Sequence, residues 1–170
     1  MKYTAAVITM SDKGSVGARA DTAGPALCQL LEQAGFQVAH IKIIPDDFET
    51  IKTELIACCD EKKVCLVATT GGTGFSPRDI TPEATAAVCE RMAPGIGEAM
   101  RLESLKITPM GCLSRATAGI RGETLIVNCP GSEKAARECL GAVLPALAHG
   151  IDTLRKTSGD CAGLHTHDHK

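Results

Sequence analysis

Aromatic side chains are nearly absent: the 170 residues include three Phe, one Tyr and no Trp. A chain this poor in rings has almost nothing on which to stack bases. Its formal net charge is −2, and its 18 basic and 20 acidic residues are scattered rather than gathered in runs, so no basic field awaits a polyanion. Neither nucleic acid nor a membrane surface is an expected partner. No apolar segment approaches the roughly 20 residues that span a bilayer. The N-terminal "MKYTAAVITMSDKG" carries one lysine, a short apolar run and no cleavage pattern, so it reads as a first strand. A cytoplasmic protein is expected. The CxxC spacing is missing too. The nine cysteines are odd in number, and Cys28, Cys59, Cys65, Cys89, Cys129 and Cys139 lie within apolar runs, so they read as reduced core thiols.

What is present is an alternation of short β-branched runs with longer helical patterns, the signature of βαβ units around a parallel sheet. Val7 and Ile8 mark the first strand. A helix with Pro25 near its start and Leu27, Leu30, Leu31 and Ala34 on one face ends at Gly35. "FQVAHIKII" reads as the second strand, and Ile51, Leu55, Ile56 and Cys59 share the next helical face. "VCLVAT" is a continuous apolar run, as a strand covered on both faces requires. Thr81 is placed as N-cap with Pro82 at the first helical position, and another helix is expected from about Pro94 to Lys106. "GIRGETLIV" predicts a hairpin turning at Arg121 to Glu123, so one strand is expected to run against the rest. Ser132 caps a last helix, which Pro145 is expected to divide. No composition shift divides the chain; one domain over residues 1–156 is expected, with a polar tail at 157–170. The tail's His165, His167 and His169 offer incidental metal affinity.

Four strand ends carry polar, glycine-bearing loops, and the densest is "TTGGTGFSPRDITPEAT", Thr69 to Thr85. Gly71, Gly72 and Gly74 leave backbone N–H groups open to an anion, beside the N-terminus of the helix near Thr81. The same glycines also suit a plain tight connection. Neither the Walker pattern nor GxGxxG is present. Asp79 in such a loop makes sense if a cation bridges its carboxylate to phosphate oxygens. In "IIPDDFET" Asp46 would reach the same sheet edge, but its spacing to Glu49 also fits a capping box. No nucleophile is paired with a base, and His40 and His149 accompany no motif. This favours phosphoryl or nucleotidyl transfer, in which positioning and charge neutralisation supply most of the catalysis.

The glycine-rich stretch closely resembles the signature of the molybdopterin adenylyltransferase family, related to the G domain of gephyrin. The likeness extends through "SDKGSVGARADTAGP", "IIPDDFETIK", "RMAPGIGEAMR", "TPMGCLSRATAGIRGETLIVNCPGSEKAA" and "LPALAHGIDTLRK", nearly the whole chain to residue 156. The resemblance implies a three-layer αβα fold with a mostly parallel sheet, a homotrimer, and transfer of AMP from Mg-ATP to the terminal phosphate of molybdopterin with release of pyrophosphate. The product would pass to a separate molybdate-inserting protein. By the same resemblance, Asp46 and Asp79 match the essential acidic residues that hold Mg²⁺ through the substrate phosphates. Gly71, Gly72, Thr73 and Gly74 match the nucleotide-phosphate loop. Ser11, Asp12, Thr81, Ser114, Asn128, Pro130, Gly131 and Ser132 match positions near the substrates. A non-catalytic molybdopterin carrier or scaffold of the same fold is the alternative.

Overall fold

A computed structural model describes residues 3–155, so the histidine-bearing tail lies outside the described residues. Six strands form one sheet in the order β2-β1-β3-β6-β5-β4. They are β1 (Thr4–Met10), β2 (Gln37–Ile44), β3 (Leu66–Thr70), β4 (Arg91–Met92), β5 (Ala118–Arg121) and β6 (Thr124–Cys129). The pairs β1–β2, β1–β3 and β3–β6 are parallel, whereas β5 runs antiparallel to both β6 and β4. The expected hairpin and single opposed strand are therefore present.

The two-residue period of the strands builds two cores. Ala5 and Val7 of β1, Leu66 and Ala68 of β3, and Leu125 and Val127 of β6 face one side of the sheet. There they meet α2 (Ala23–Gln33) through Leu27 and Leu31, α5 (Pro94–Leu105) through Met100, and α6 (Glu133–Arg155) through Leu140 and Leu147. Ala6, Ile8, Val67 and Ile126 face the other side. They pack against Ile51 and Leu55 of α3 (Phe48–Ile56) and Ala84 and Val88 of α4 (Thr81–Val88). Truncating Leu55 or Leu140, both fully buried, to Ala would cost about 2–5 kcal/mol. The result is three layers, αβα.

The cysteines among the described residues are free; Cys28, Cys58, Cys59, Cys65, Cys129 and Cys139 are buried. Burial pushes the Cys58 and Cys59 thiols up to about 12, which keeps them protonated at neutral pH.

Three local expectations are corrected. Pro145 does not divide the last helix: α6 continues through it. Pro145 lies on the solvent face while Val143, Leu144, Leu147 and Ile151 bury the opposite face on both sides of it, so packing outweighs the lost hydrogen bond. The N-cap of α3 is Asp47 and not Asp46; the Asp47 carboxylate accepts from the Thr50 N–H at 2.9 Å and its hydroxyl at 2.7 Å. Thr81 is the first residue of α4 rather than its cap, and its fully buried hydroxyl donates to the Gly71 carbonyl at 3.0 Å. Three elements had no distinct sequence signal: a one-turn helix, α1 (Asp12–Ser15), the two-residue edge strand β4, and a 3-10 turn at Pro109–Leu113.

Candidate functional site

The chain leaves β1 toward β2 on one side and returns to β3 on the other, which opens a crevice beyond the carboxyl ends of β1 and β3. The turn after β3 begins with Gly71 and Gly72, at φ 98° and 66°. Side chains rarely adopt these angles, and a Cβ at Gly71 would overlap the Met10 carbonyl oxygen across the crevice. The glycines thus let the loop cross closely over β1. Gly131, after β6, approaches the same turn, since its Cβ would lie 3.3 Å from the Gly71 Cα.

Beyond these strand ends lies a cavity of about 440 Å³, with Ser11, Asp46, Gly71, Gly72, Asp79, Gly131 and Ser132 in its wall. A second cavity, of about 490 Å³, adjoins it and is lined by Thr73, Gly74, Phe75, Met110, Leu113, Ser114 and Pro130. Gly72, Asp79 and Gly131 belong to both walls. Asp79 therefore stands where the two compartments meet.

The loops after β1 and β2 are locked reciprocally. The Asp12 N–H donates to Asp46 Oδ2 and the Asp46 N–H donates to Asp12 Oδ1, each at 3.0 Å. Arg78, from the glycine loop, forks onto Asp12 with Nε–Oδ2 3.0 Å and Nη2–Oδ1 2.8 Å. That fork, with the Asp46 backbone bond, holds the Asp12 carboxyl below its ordinary range. Asp46 moves the other way. Burial pushes its carboxyl up; the Asp12 amide opposes this, and the charges of Asp12 and Asp79 add to it. Asp79 accepts from the Ser76 N–H at 2.9 Å, and its own N–H returns to the Ser76 carbonyl at the same distance, folding the loop tip on itself.

Most of the expected site residues converge. Asp46, Asp79, Ser11, Ser132 and the loop from Gly71 to Gly74 line the two cavities, with Ser114, Pro130 and Gly131 on the second. Asp12 reaches the group through Asp46 and Arg78. Two residues lie behind the surface. Thr81 is fully buried and braces Gly71. Asn128 is also fully buried, and its amide donates to Thr69 Oγ1 at 3.0 Å and Thr85 Oγ1 at 2.9 Å. Its Oδ1 has no partner among the described residues. Asn128 joins β3, β6 and α4 rather than facing either cavity.

Sequence reading missed Asp21, whose carboxylate accepts from Thr9 Oγ1 at 2.7 Å and from the Gly24 N–H at 2.9 Å on the wall of the first cavity. An aspartate three residues before a helical N–H was a readable signal. Arg115 was missed as well. Its contacts with Gly74, Asp79 and Glu83 span more than thirty positions of sequence and leave no local pattern. The group His40, Glu54 and Cys58 could hold a metal by donor type, but none of the three lines either cavity.

Residues 6–149 match the family model described as "Probable molybdopterin binding domain". The chain belongs to this family. A molybdopterin adenylyltransferase of Helicobacter pylori strain J99 is 46% identical over 150 residues, covering 87% of this chain and 85% of that protein. Gephyrin of Dictyostelium discoideum is 42% identical over 160 residues, which are 88% of this chain and 22% of the larger protein. Among solved structures, the molybdopterin biosynthesis enzyme MoaB of Thermus thermophilus superposes with a TM-score of 0.85 at 46% identity, covering 89% of this chain and 96% of that one. The family relation runs through the helices on both faces as well as the glycine loop. Among the described residues, no helix is long and apolar enough to cross a membrane.

Proposed function

We propose that this chain is a molybdopterin adenylyltransferase of molybdenum cofactor biosynthesis. A terminal phosphate oxygen of molybdopterin attacks the α-phosphorus of ATP, the bond from that phosphorus to the bridging oxygen breaks, and pyrophosphate leaves. The observation that carries the reading is the position of Asp79 on the shared wall of two adjoining cavities, beside a glycine-rich loop and near Asp46. Two compartments suit two substrates joined in one step, and a phosphate monoester needs no base to become a nucleophile at neutral pH. The protein's task is to hold two repelling anions together.

Asp46 and Asp79 offer a hard-oxygen donor set of the kind Mg²⁺ prefers. The repulsion from Asp79 that helps raise the Asp46 carboxyl is what a divalent cation between them would relieve. Mg²⁺ held there would neutralise phosphate charge and make the α-phosphorus more electrophilic. Gly72, Thr73 and Gly74 offer backbone N–H groups to the nucleotide phosphates, while the Gly71 N–H donates to the Cys129 carbonyl at 3.2 Å and anchors the turn; Ser11, Ser114 and Ser132 offer hydroxyls to the substrates. Asp12 orients Asp46, while Thr81 and Asn128 support the loop from behind. On the family resemblance, we read the molecule as a homotrimer that hands its product to a molybdate-inserting protein.

Purified protein with ATP, Mg²⁺ and anaerobically prepared molybdopterin should yield equal amounts of pyrophosphate and adenylylated pterin, and each omission should abolish both. Asp79→Asn should lower the rate by about 10²–10³-fold without loss of folding. Binding of molybdopterin with no transfer under any nucleotide or metal would establish a carrier instead.

A further inference from the structure

The geometry points to Arg115 as the positioning residue that sets the Asp79 end of the glycine loop against its Gly74 end. This rests on the adenylyltransferase reading for its catalytic consequence but not for its structural one. The loop has two internal fastenings. At its base, Thr81 bonds the Gly71 carbonyl through its hydroxyl and the Gly72 carbonyl through its N–H at 3.1 Å. At its tip, Asp79 and Ser76 bond each other. Neither fastening ties the tip to the body; on the β1 side that is done by the fork of Arg78 onto Asp12, between two exposed side chains, and Phe75, Ser76 and Pro77 are exposed as well.

Arg115 supplies the tie on the opposite side, toward α4. Its N–H donates to the Thr73 carbonyl at 2.9 Å, its Nε to the Gly74 carbonyl at 2.8 Å, its Nη2 to the Asp79 carbonyl and its Nη1 to the Glu83 carboxylate in the first turn of α4. One planar guanidinium thus spans both limbs of the loop and the helix that follows. A lysine ammonium, a single donor centre, could not satisfy three acceptors in that plane. Arg115 lines neither cavity, so it acts through Asp79 and not on substrate.

The segment that carries Arg115 is itself held. Arg101 of α5 donates from Nη1 to the Ala116 carbonyl at 2.7 Å and the Ser114 carbonyl at 3.4 Å. A Cβ at Gly97 would overlap the same Ala116 carbonyl, so helix and segment approach as closely as a bare glycine allows. Two arginines in series therefore connect α5 to the glycine loop.

The test compares wild type, Arg115→Lys and Arg115→Ala by amide hydrogen exchange and by steady-state AMP transfer, with thermal melting as the control for folding. Exchange at Ser76 and Asp79 should quicken in both variants while core strand amides keep their rates. The kcat should fall about 10²-fold in Arg115→Ala with KM for ATP changed less than about 3-fold, and Arg115→Lys should recover only part of the loss. Folded variants with wild-type loop exchange and wild-type kcat would overturn the proposal. If Arg115→Ala does not fold, Arg115→Lys and Glu83→Gln carry the same comparison. Absence of transfer in the wild type would overturn the activity, and the exchange rates would still decide the clamp.

Discussion

Asp46 and Glu54 are acidic residues of neighbouring segments, and their surroundings treat them in opposite ways. Glu54 of α3 is the more buried, with 8% of its side chain exposed, yet it is matched by Lys42, with which it forms an ion pair, and by His40 Nε2 at 2.7 Å. Burial alone would raise its carboxyl; the two basic partners outweigh this and hold it below the ordinary range. Asp46 is half-buried, is raised by that burial, and has Asp12 and Asp79 rather than a dedicated cation for company, with Arg78 committed by its fork to Asp12. A buried acid that only supports a fold is given its counter-charge. An acid left short of one beside a cavity is poised to receive charge from outside.

The comparison breaks most sharply in activity. Asp46→Asn should lower AMP transfer by about 10²-fold or more, whereas Glu54→Gln should leave it unchanged. Stability should answer in reverse. Glu54→Gln removes a buried acceptor of two basic groups and should cost about 1–3 kcal/mol by denaturant unfolding, while Asp46→Asn should melt no lower than wild type. The pH dependence sharpens the contrast. Because the folded Glu54 carboxyl is lowered, its contribution is present above the unfolded value and is lost as pH falls through the folded one. The deficit of Glu54→Gln should therefore shrink on acidification. The folded Asp46 carboxyl is raised, so ionisation costs stability as pH rises through the folded value. The advantage of Asp46→Asn should grow in that direction, and melting temperatures across about pH 3 to 7 would check both signs. The smallest effect belongs to the neighbouring residue: Asp47→Ala, which removes the N-cap of α3, should cost about 1 kcal/mol with little change in transfer.

The layers were legible because period and composition agree with packing. "VCLVAT" covers all of β3 but its last residue, Thr70, and the strand is buried throughout, while the Leu27–Leu31 face of α2 meets the sheet as its spacing requires. The candidate site was legible at the same strand ends in its glycine turn, since Gly71 and Gly72 occupy left-handed angles for which few other residues suffice. What was hidden depends on partners remote in sequence. Asp46 and Asp47 are adjacent in the chain, and only the fold decides that Asp47 caps the helix while Asp46 turns to Asp12. Asn128 belongs to the same block as Pro130, Gly131 and Ser132, but strand alternation and its bonds to Thr69 and Thr85 draw it into the interior. Pro145 obeys local propensity in any short window and is overruled by an apolar face that runs past it.

The most direct test is AMP transfer from ATP to molybdopterin by wild type, Asp46→Asn and Glu54→Gln side by side, each checked for folding by thermal melting. The account predicts transfer by wild type and Glu54→Gln, and its loss in an Asp46→Asn protein that melts as high as wild type. A folded Asp46→Asn protein that turns over at the wild-type rate would contradict it.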